Sequence, residues 1–224
     1  MDYTFTLRTI YPYLGELWQA AAVTLSLSVL AIVLSVVVGM AVALLRRSPL
    51  RILRILGGLY VEVMRNTPLL VILYIVYFSL PATGLRLSSF SAALLGLALN
   101  SAGYMAEIFR AGLAAVAPGQ FEAAASQGLT TIQTYRHVVL PQVFRTIYAP
   151  LGNQFIAVIL ASSLASAVAV EDVASWMQTV GATSFRFFET FLVSAIVYLV
   201  LCQAVNLARI GIGRWLFADA GARR

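Results

Sequence analysis

FEAAASQGLTTIQTYRHVVLP, Phe121–Pro141, is a polar, alanine-rich stretch bounded on both sides by long apolar runs. It is too interrupted to cross a bilayer, and its local chemistry predicts two short helices. Pro118 and Gly119 break the incoming helix, and proline is pre-set for a helix start. Glu122 falls in the first turn, where a carboxylate complements the helix dipole. Ala123, Ala124 and Ala125 leave a surface almost free of side chains, so another backbone can approach. Gly128 ends this helix as a C-terminal glycine does. Thr130 or Thr131 caps a second short helix running through Val139, and Leu140-Pro141 turns the chain toward the membrane. Two readings stay open on the residues alone. The stretch is a knob that docks in a groove of another protein, or a plain amphipathic loop resting on lipid headgroups.

The surrounding composition fixes the class. Of 224 residues, 61% are hydrophobic and 11% charged, against about 25% charged in soluble domains. The mean hydropathy is +0.89, and the chain reads as a single all-α integral membrane domain, residues 1–224. Five apolar runs approach the roughly 20 residues a spanning helix needs: about 20–45, 59–80, 90–109, 147–170 and 191–212. All the basic residues except the lone histidine are arginines. Arg46, Arg47, Arg51 and Arg54 follow the first run. Arg110 and Arg145 flank the quoted stretch with Arg136 inside it, between the third and fourth runs, and Arg209, Arg214, Arg223 and Arg224 end the chain. Only Arg8, Arg86 and Arg186 lie on the other side. By the positive-inside bias the N-terminus is outside, the C-terminus inside and the 118–141 loop cytoplasmic. Between the last two runs, Val173, Trp176, Met177 and Val180 fall at helical spacing. They predict a short helix at the outer interface, anchored by Trp176 and the Phe185–Phe188 cluster.

Several function classes drop out. No basic patch alternates with exposed aromatics, so nucleic acid is not expected as a partner. Cys202 is the only cysteine and His137 the only histidine, which argues against a disulfide, a zinc site or a Ser/His triad. With no lysine, a G-x-x-x-x-G-K-[ST] phosphate loop cannot be present. The first apolar run is long and ends at Arg46-Arg47, so it reads as a retained span rather than a cleaved signal.

At this point a resemblance becomes specific. Glu122-Ala123-Ala124, Gly128, Val138, Leu140 and Pro141 match the EAA loop of permease subunits of ATP-binding cassette importers. VEVMRNTPLLVILYIVYFSLP (Val61–Pro81), NSAGYMAEIFRAGLAAVAPGQFEAA (Asn100–Ala124) and LGNQFIAVILASSLASAVAVEDV (Leu151–Val173) resemble the polar amino acid uptake branch. The likeness covers about Trp18 to Phe217. It implies a type I importer permease fold of five transmembrane helices in the bacterial inner membrane. The partners it implies are cytoplasmic ATPase subunits, a second permease, identical or not, and an extracytoplasmic amino acid-binding protein. It also implies that Glu122, Ala123, Ala124, Gly128 and Pro141 seat the loop in the ATPase. ATP and magnesium then belong to that partner; no cofactor is expected on this chain, which is not itself an enzyme.

Polar residues inside the spans are costly and are the candidates for a substrate path. Asn100, Tyr104 and Glu107 lie on one face of the third run, although Glu107 also stands one turn before Arg110 and can pair with it. In the second run RNTP (Arg65–Pro68) interrupts the apolar pattern. Pro68 frees backbone carbonyls, Asn66 and Thr67 become path candidates, and Arg65 can pair with Glu62. A broken helix can also receive a carboxylate at the start of its second half. In the fourth run Gln154, Ser162 and Ser163 are candidates, with helix–helix hydrogen bonding the alternative for the serines. Many members of the branch carry a charged residue just before the Ser-Ser-Leu unit, where this chain has Leu160-Ala161. Its absence points away from a cationic substrate and toward a neutral or acidic amino acid such as glutamine or glutamate, or to binding dominated by the second permease. A self-sufficient secondary carrier or channel is the rival class, using Glu107 as a proton or cation site; no internal inverted repeat supports it.

Overall fold

The computed structural model describes residues 4–217, so Arg223 and Arg224 lie outside the described residues. Among the described residues nine α-helices follow one another and there is no strand. They are α1 (Leu14–Leu45), α2 (Arg51–Asn66), α3 (Leu69–Tyr74), α4 (Ser89–Ala114), α5 (Pro118–Ser126), α6 (Thr131–Thr134), α7 (Leu140–Ala161), α8 (Val173–Ser184) and α9 (Phe187–Phe217).

Four helical runs are long and apolar enough to cross a membrane: Arg8–Leu45, Ser89–Ala114, Thr131–Val168 and Phe187–Leu216. A fifth span exists if Arg51–Asn66 and Leu69–Thr83, bent by 105° at the break between them, are counted as one. The second expected run, 59–80, is therefore an angular element rather than a kinked rod. Pro68 explains the break: it cannot donate a backbone hydrogen bond, and it forces Thr67 out of the helical region, to ψ 128°.

The core is α4 against α1, the most extensive helix contact in the molecule. Small residues make it possible. A Cβ at Gly39 would stand 2.5 Å from the Met105 Cβ, and on the α7 side of α4 one at Gly112 would stand 2.2 Å from the Ile147 side chain. Backbones approach closely here, as interfaces in lipid require. By contrast α9 presents most of its length outward, as a helix facing lipid or a partner would.

Leu140-Pro141 does not turn the chain. The helix from Thr131 runs without interruption into the fourth apolar run, so the helix that carries this run begins well before residue 147. The device is a wide turn over Tyr135–Val139, in which the Leu140 N–H reaches back five residues to the Tyr135 carbonyl. The extra residue makes room for the Pro141 ring and absorbs its missing donor. The same device precedes Leu80-Pro81, where a wide turn spans Ile75–Ser79 and the Leu80 N–H reaches the Ile75 carbonyl.

At the other end of the bundle α8 is present as expected, but Trp176 is no interfacial anchor. It is 5% exposed, packed among Ile10, Ala20, Val173 and Val180, and its indole N–H donates to the Tyr13 carbonyl at 3.0 Å. An indole with its one donor satisfied is cheap to bury. Phe185, Phe187 and Phe188 do remain exposed. The N-terminal segment is pinned beside them: Glu189, fully buried, accepts the Thr6 N–H at 3.1 Å and faces Arg186 at 3.5 Å.

Candidate translocation cavity and coupling surface

The break at Pro68 builds the site. In a continuous helix the Met64 carbonyl would accept from residue 68, which here is proline. Asn100 on α4 supplies the missing donor: its side-chain amide donates to the Met64 carbonyl at 2.7 Å. The next carbonyl, that of Arg65, is reached by the Tyr104 hydroxyl at 3.4 Å. These two polar residues of α4 therefore cap a helix that is not their own. Nearby the Tyr60 hydroxyl donates to the Leu99 carbonyl at 2.7 Å, tying α2 to α4 from the other direction.

A cavity of about 570 Å³ opens at the break, within the range of small-molecule sites. Arg65, Asn66, Thr67 and the start of α3 form one wall, Asn100, Ser101 and Tyr104 the second, and Gln154 with apolar α7 residues the third. Five of the expected path residues thus meet in one place: Asn66, Thr67, Asn100, Tyr104 and Gln154. Among the described residues that line it, Arg65 is the only charged one. The expected Arg65–Glu62 pair is not formed. Glu62 accepts instead from Asn66 at 2.9 Å, and the Arg65 guanidinium lies over the Tyr104 ring, 5.4 Å from its centroid. A guanidinium is drawn to an aromatic face at that distance. Sequence reasoning placed Arg65 outside the path; its signal was its position three residues before a helix-breaking proline.

Glu107 lies beyond this cavity, in the wall of a second space of about 320 Å³ that shares Arg65, Tyr104 and Gln154 with the first. Both its oxygens are engaged: Oε2 accepts from Arg46 at 2.6 Å, and Oε1 accepts from Arg110 Nε at 2.8 Å and from Arg110 Nη2. Glu107 therefore joins α1 to α4 and neutralises part of the arginine cluster. Ser162 and Ser163 line neither space. They sit in the 3-10 turn Ser162–Val168 and donate to the Ile159 and Leu160 carbonyls, each at 2.7 Å.

The candidate coupling segment folds as two short helices with modified ends. Glu122 lies just beyond the first turn of α5, which contains no acid. Gly128 takes φ +75°, and the Gly128 and Leu129 N–H groups close back on the Ala125 and Ala124 carbonyls at 2.9 and 3.1 Å. That is a Schellman ending, which glycine adopts without strain. Thr130, not Thr131, caps α6 in a reciprocal box with Gln133. The alanines divide: Ala124 is buried, while Ala123 and Ala125 face outward beside Glu122. Phe121 stacks edge-on against Tyr135 at 6.1 Å, holding α5 to the wide turn. Ile132, 80% exposed on the same segment, is an outward apolar side chain that the sequence pattern did not single out.

Comparison with known proteins gives the family and the fold. Residues 32–216 match the family described as binding-protein-dependent transport system inner membrane component. The chain is 36% identical, over 90% of its length and 89% of the relative's, to a probable amino-acid ABC transporter permease protein, YckA, of Bacillus subtilis. It is 40% identical to a probable glutamine ABC transporter permease protein, GlnM, of the same organism, covering 82% of this chain and 85% of that one. A crystal structure of an amino acid ABC transporter with histidines superposes at a TM-score of 0.87 and 32% identity, covering 95% of this chain and 99% of the other.

Proposed function

Given that this chain belongs to the family of binding-protein-dependent transport system inner membrane components, we propose that it forms one half of the path of an ATP-driven importer for a polar amino acid. The observation that carries this reading is the cavity at the Pro68 break. It is polar where the broken helix and α4 meet, apolar toward α7, and charged only at Arg65.

The Arg65 guanidinium suits the substrate carboxylate. Asn66, Thr67, Asn100 and Gln154 offer neutral donors and acceptors for the remainder. With no acidic side chain among the described lining residues, the cavity favours a neutral or acidic side chain over a cationic one. Relatives named for glutamine and for amino acids generally support that class. A second permease, identical or different, completes the path, and the membrane is the bacterial inner membrane.

Energy enters from a neighbour. Glu122, Ala123 and Ala125 on α5, with Ile132 after the Gly128 turn, form the surface that a cytoplasmic ATPase subunit grips. α6 continues through the wide turn into α7, so a displacement of α5 acts on the helix that carries Gln154. Rigid-body rocking of the bundle then alternates access to the cavity.

The test is uptake in liposomes by the complex reconstituted with its ATPase and binding protein, with the full set of amino acids as competitors. Inhibition led by glutamine, glutamate or another uncharged polar amino acid is the expected result. Inhibition confined to lysine and arginine would overturn the substrate class. Transport by the lone chain would overturn the importer reading in favour of a carrier.

A further inference from the structure

At the end of the bundle away from the coupling segment, a separate pocket of about 300 Å³ lies between the start of α1 and the start of α8. α1 is 32 residues long, about 48 Å at 1.5 Å per residue, so this pocket and the Arg46-Arg47 end are a full bilayer apart. Glu16, Glu171 and Asp172 all line the pocket, with neutral Gln19, Ser175 and Thr179 between them, and no cation is among its described lining residues.

Asp172 is the unusual member. It is fully buried, and its Oδ1 caps α8 by accepting the Ser175 N–H at 2.9 Å. Its Oδ2 is buried and has no hydrogen-bond partner among the described residues, and Tyr198 of α9 lies near it. A buried carboxylate oxygen without a donor is costly. The same end of the molecule shows what an internally satisfied acid looks like: Glu189 is equally buried and is matched by Arg186 and the Thr6 N–H. Among the described residues the pocket acids have no such match.

We propose that this pocket seats a lysine or arginine side chain of the extracytoplasmic binding protein, making it a docking point on the face where substrate is delivered. The inference rests on the importer reading above. With no cation among the described lining residues, the acids along this pocket call for a cationic group with several donors, which ammonium and guanidinium supply. A phosphate headgroup would be repelled, and no cluster among the described residues is arranged to hold a metal ion. At about 30 Å³ per water the space holds on the order of ten waters, room for one long side chain rather than a segment of chain. The seat is also continuous with the path, because Leu164 of the cavity wall lies eight residues before Asp172 on the same run of backbone.

The test uses Glu16→Gln with Glu171→Gln. Both residues are exposed, and both lie outside the cavity and the coupling surface. In the complex reconstituted with its ATPase, ATP hydrolysis is measured against the concentration of the substrate-loaded binding protein that co-purifies with it. The half-saturating concentration should rise about tenfold with the maximal rate unchanged, and its dependence on salt should flatten. A variant with unaltered half-saturation in a complex whose wild type is stimulated overturns this inference and leaves the importer reading standing. A variant that loses only its maximal rate overturns it equally. A wild-type complex indifferent to the binding protein overturns both.

Discussion

The pairing of Asn100 with the Met64 carbonyl allows a sharp test of how the break is held. If the amide replaces the N–H that Pro68 lacks, Asn100→Ala leaves a carbonyl without a donor at a nearly buried position. Such an orphan costs about 1–3 kcal/mol in water-soluble proteins, and interhelical hydrogen bonds in membranes measure about 0.6–1.7 kcal/mol. The expected cost is therefore about 1–1.5 kcal/mol, roughly a tenfold change in the unfolding equilibrium. Pro68→Ala returns a backbone donor to the helix. In that background the carbonyl has its own partner, and Asn100→Ala should cost less than about 0.5 kcal/mol. Unfolding in mixed micelles by titration with denaturing detergent reads both values, with the three tryptophans as the fluorescent probe. Equal costs of Asn100→Ala in the two backgrounds would refute the capping role, because the amide would then be stabilising something other than the break.

Other outcomes follow from single contacts. A Cβ at Gly152 would stand 1.9 Å from Arg209 Cδ, so Gly152→Ala should lower the melting temperature of the purified complex, and Arg209→Ala should restore it. Gly128 sits at φ +75°; Gly128→Ala should cost about 1 kcal/mol in the coupling segment, and Gly128→Trp should abolish uptake while membrane insertion, followed by protease protection, is unchanged. Burial pushes Asp172 up to about 6 from its ordinary 3.8, about 3 kcal/mol at 1.36 kcal/mol per pH unit. The folded state holds this proton more tightly than the unfolded chain. The contribution is therefore complete below about pH 3.8 and lost as pH rises through about 6. Without the binding protein, thermal stability should fall across that window. Asp172→Asn, which keeps a capping side chain, should flatten the fall, with Glu16, Glu171 and Tyr198 as the ionisable groups left nearby.

Much of this architecture could be read from residue order, because a bilayer imposes length and apolarity directly on a helix. α1, α4 and α9 announce themselves as runs of sufficient length, and the glycine and threonine signals at Gly128 and Thr130 act locally enough to be read in place. The candidate cavity was legible in part for the same reason: RNTP is a polar interruption with a proline, and Asn100 and Tyr104 share a helical face. What could not be read is set by three-dimensional partners. The 105° angle between α2 and α3 depends on α4 supplying the absent donors, and the position of Arg65 depends on the Tyr104 ring. Trp176 reads as an anchor because aromatic residues favour interfaces, yet the Tyr13 carbonyl that takes its N–H is more than 160 residues away. Leu140-Pro141 reads as a turn because proline usually stops a helix, and a single five-residue loop of backbone reverses that outcome.

That wide loop before Pro141 also sets an angular phase. One additional residue rotates everything downstream by about 100° relative to an uninterrupted spiral. The facing of Gln154 toward the cavity and the outward aim of Ala123 and Ala125 are therefore coordinated by residues 135–139. Shortening that loop by one residue would keep every side chain of the two sites and still point the far helix at the wrong neighbour, so the spacing between the two sites behaves as a gear ratio in which the number of residues matters more than their chemistry.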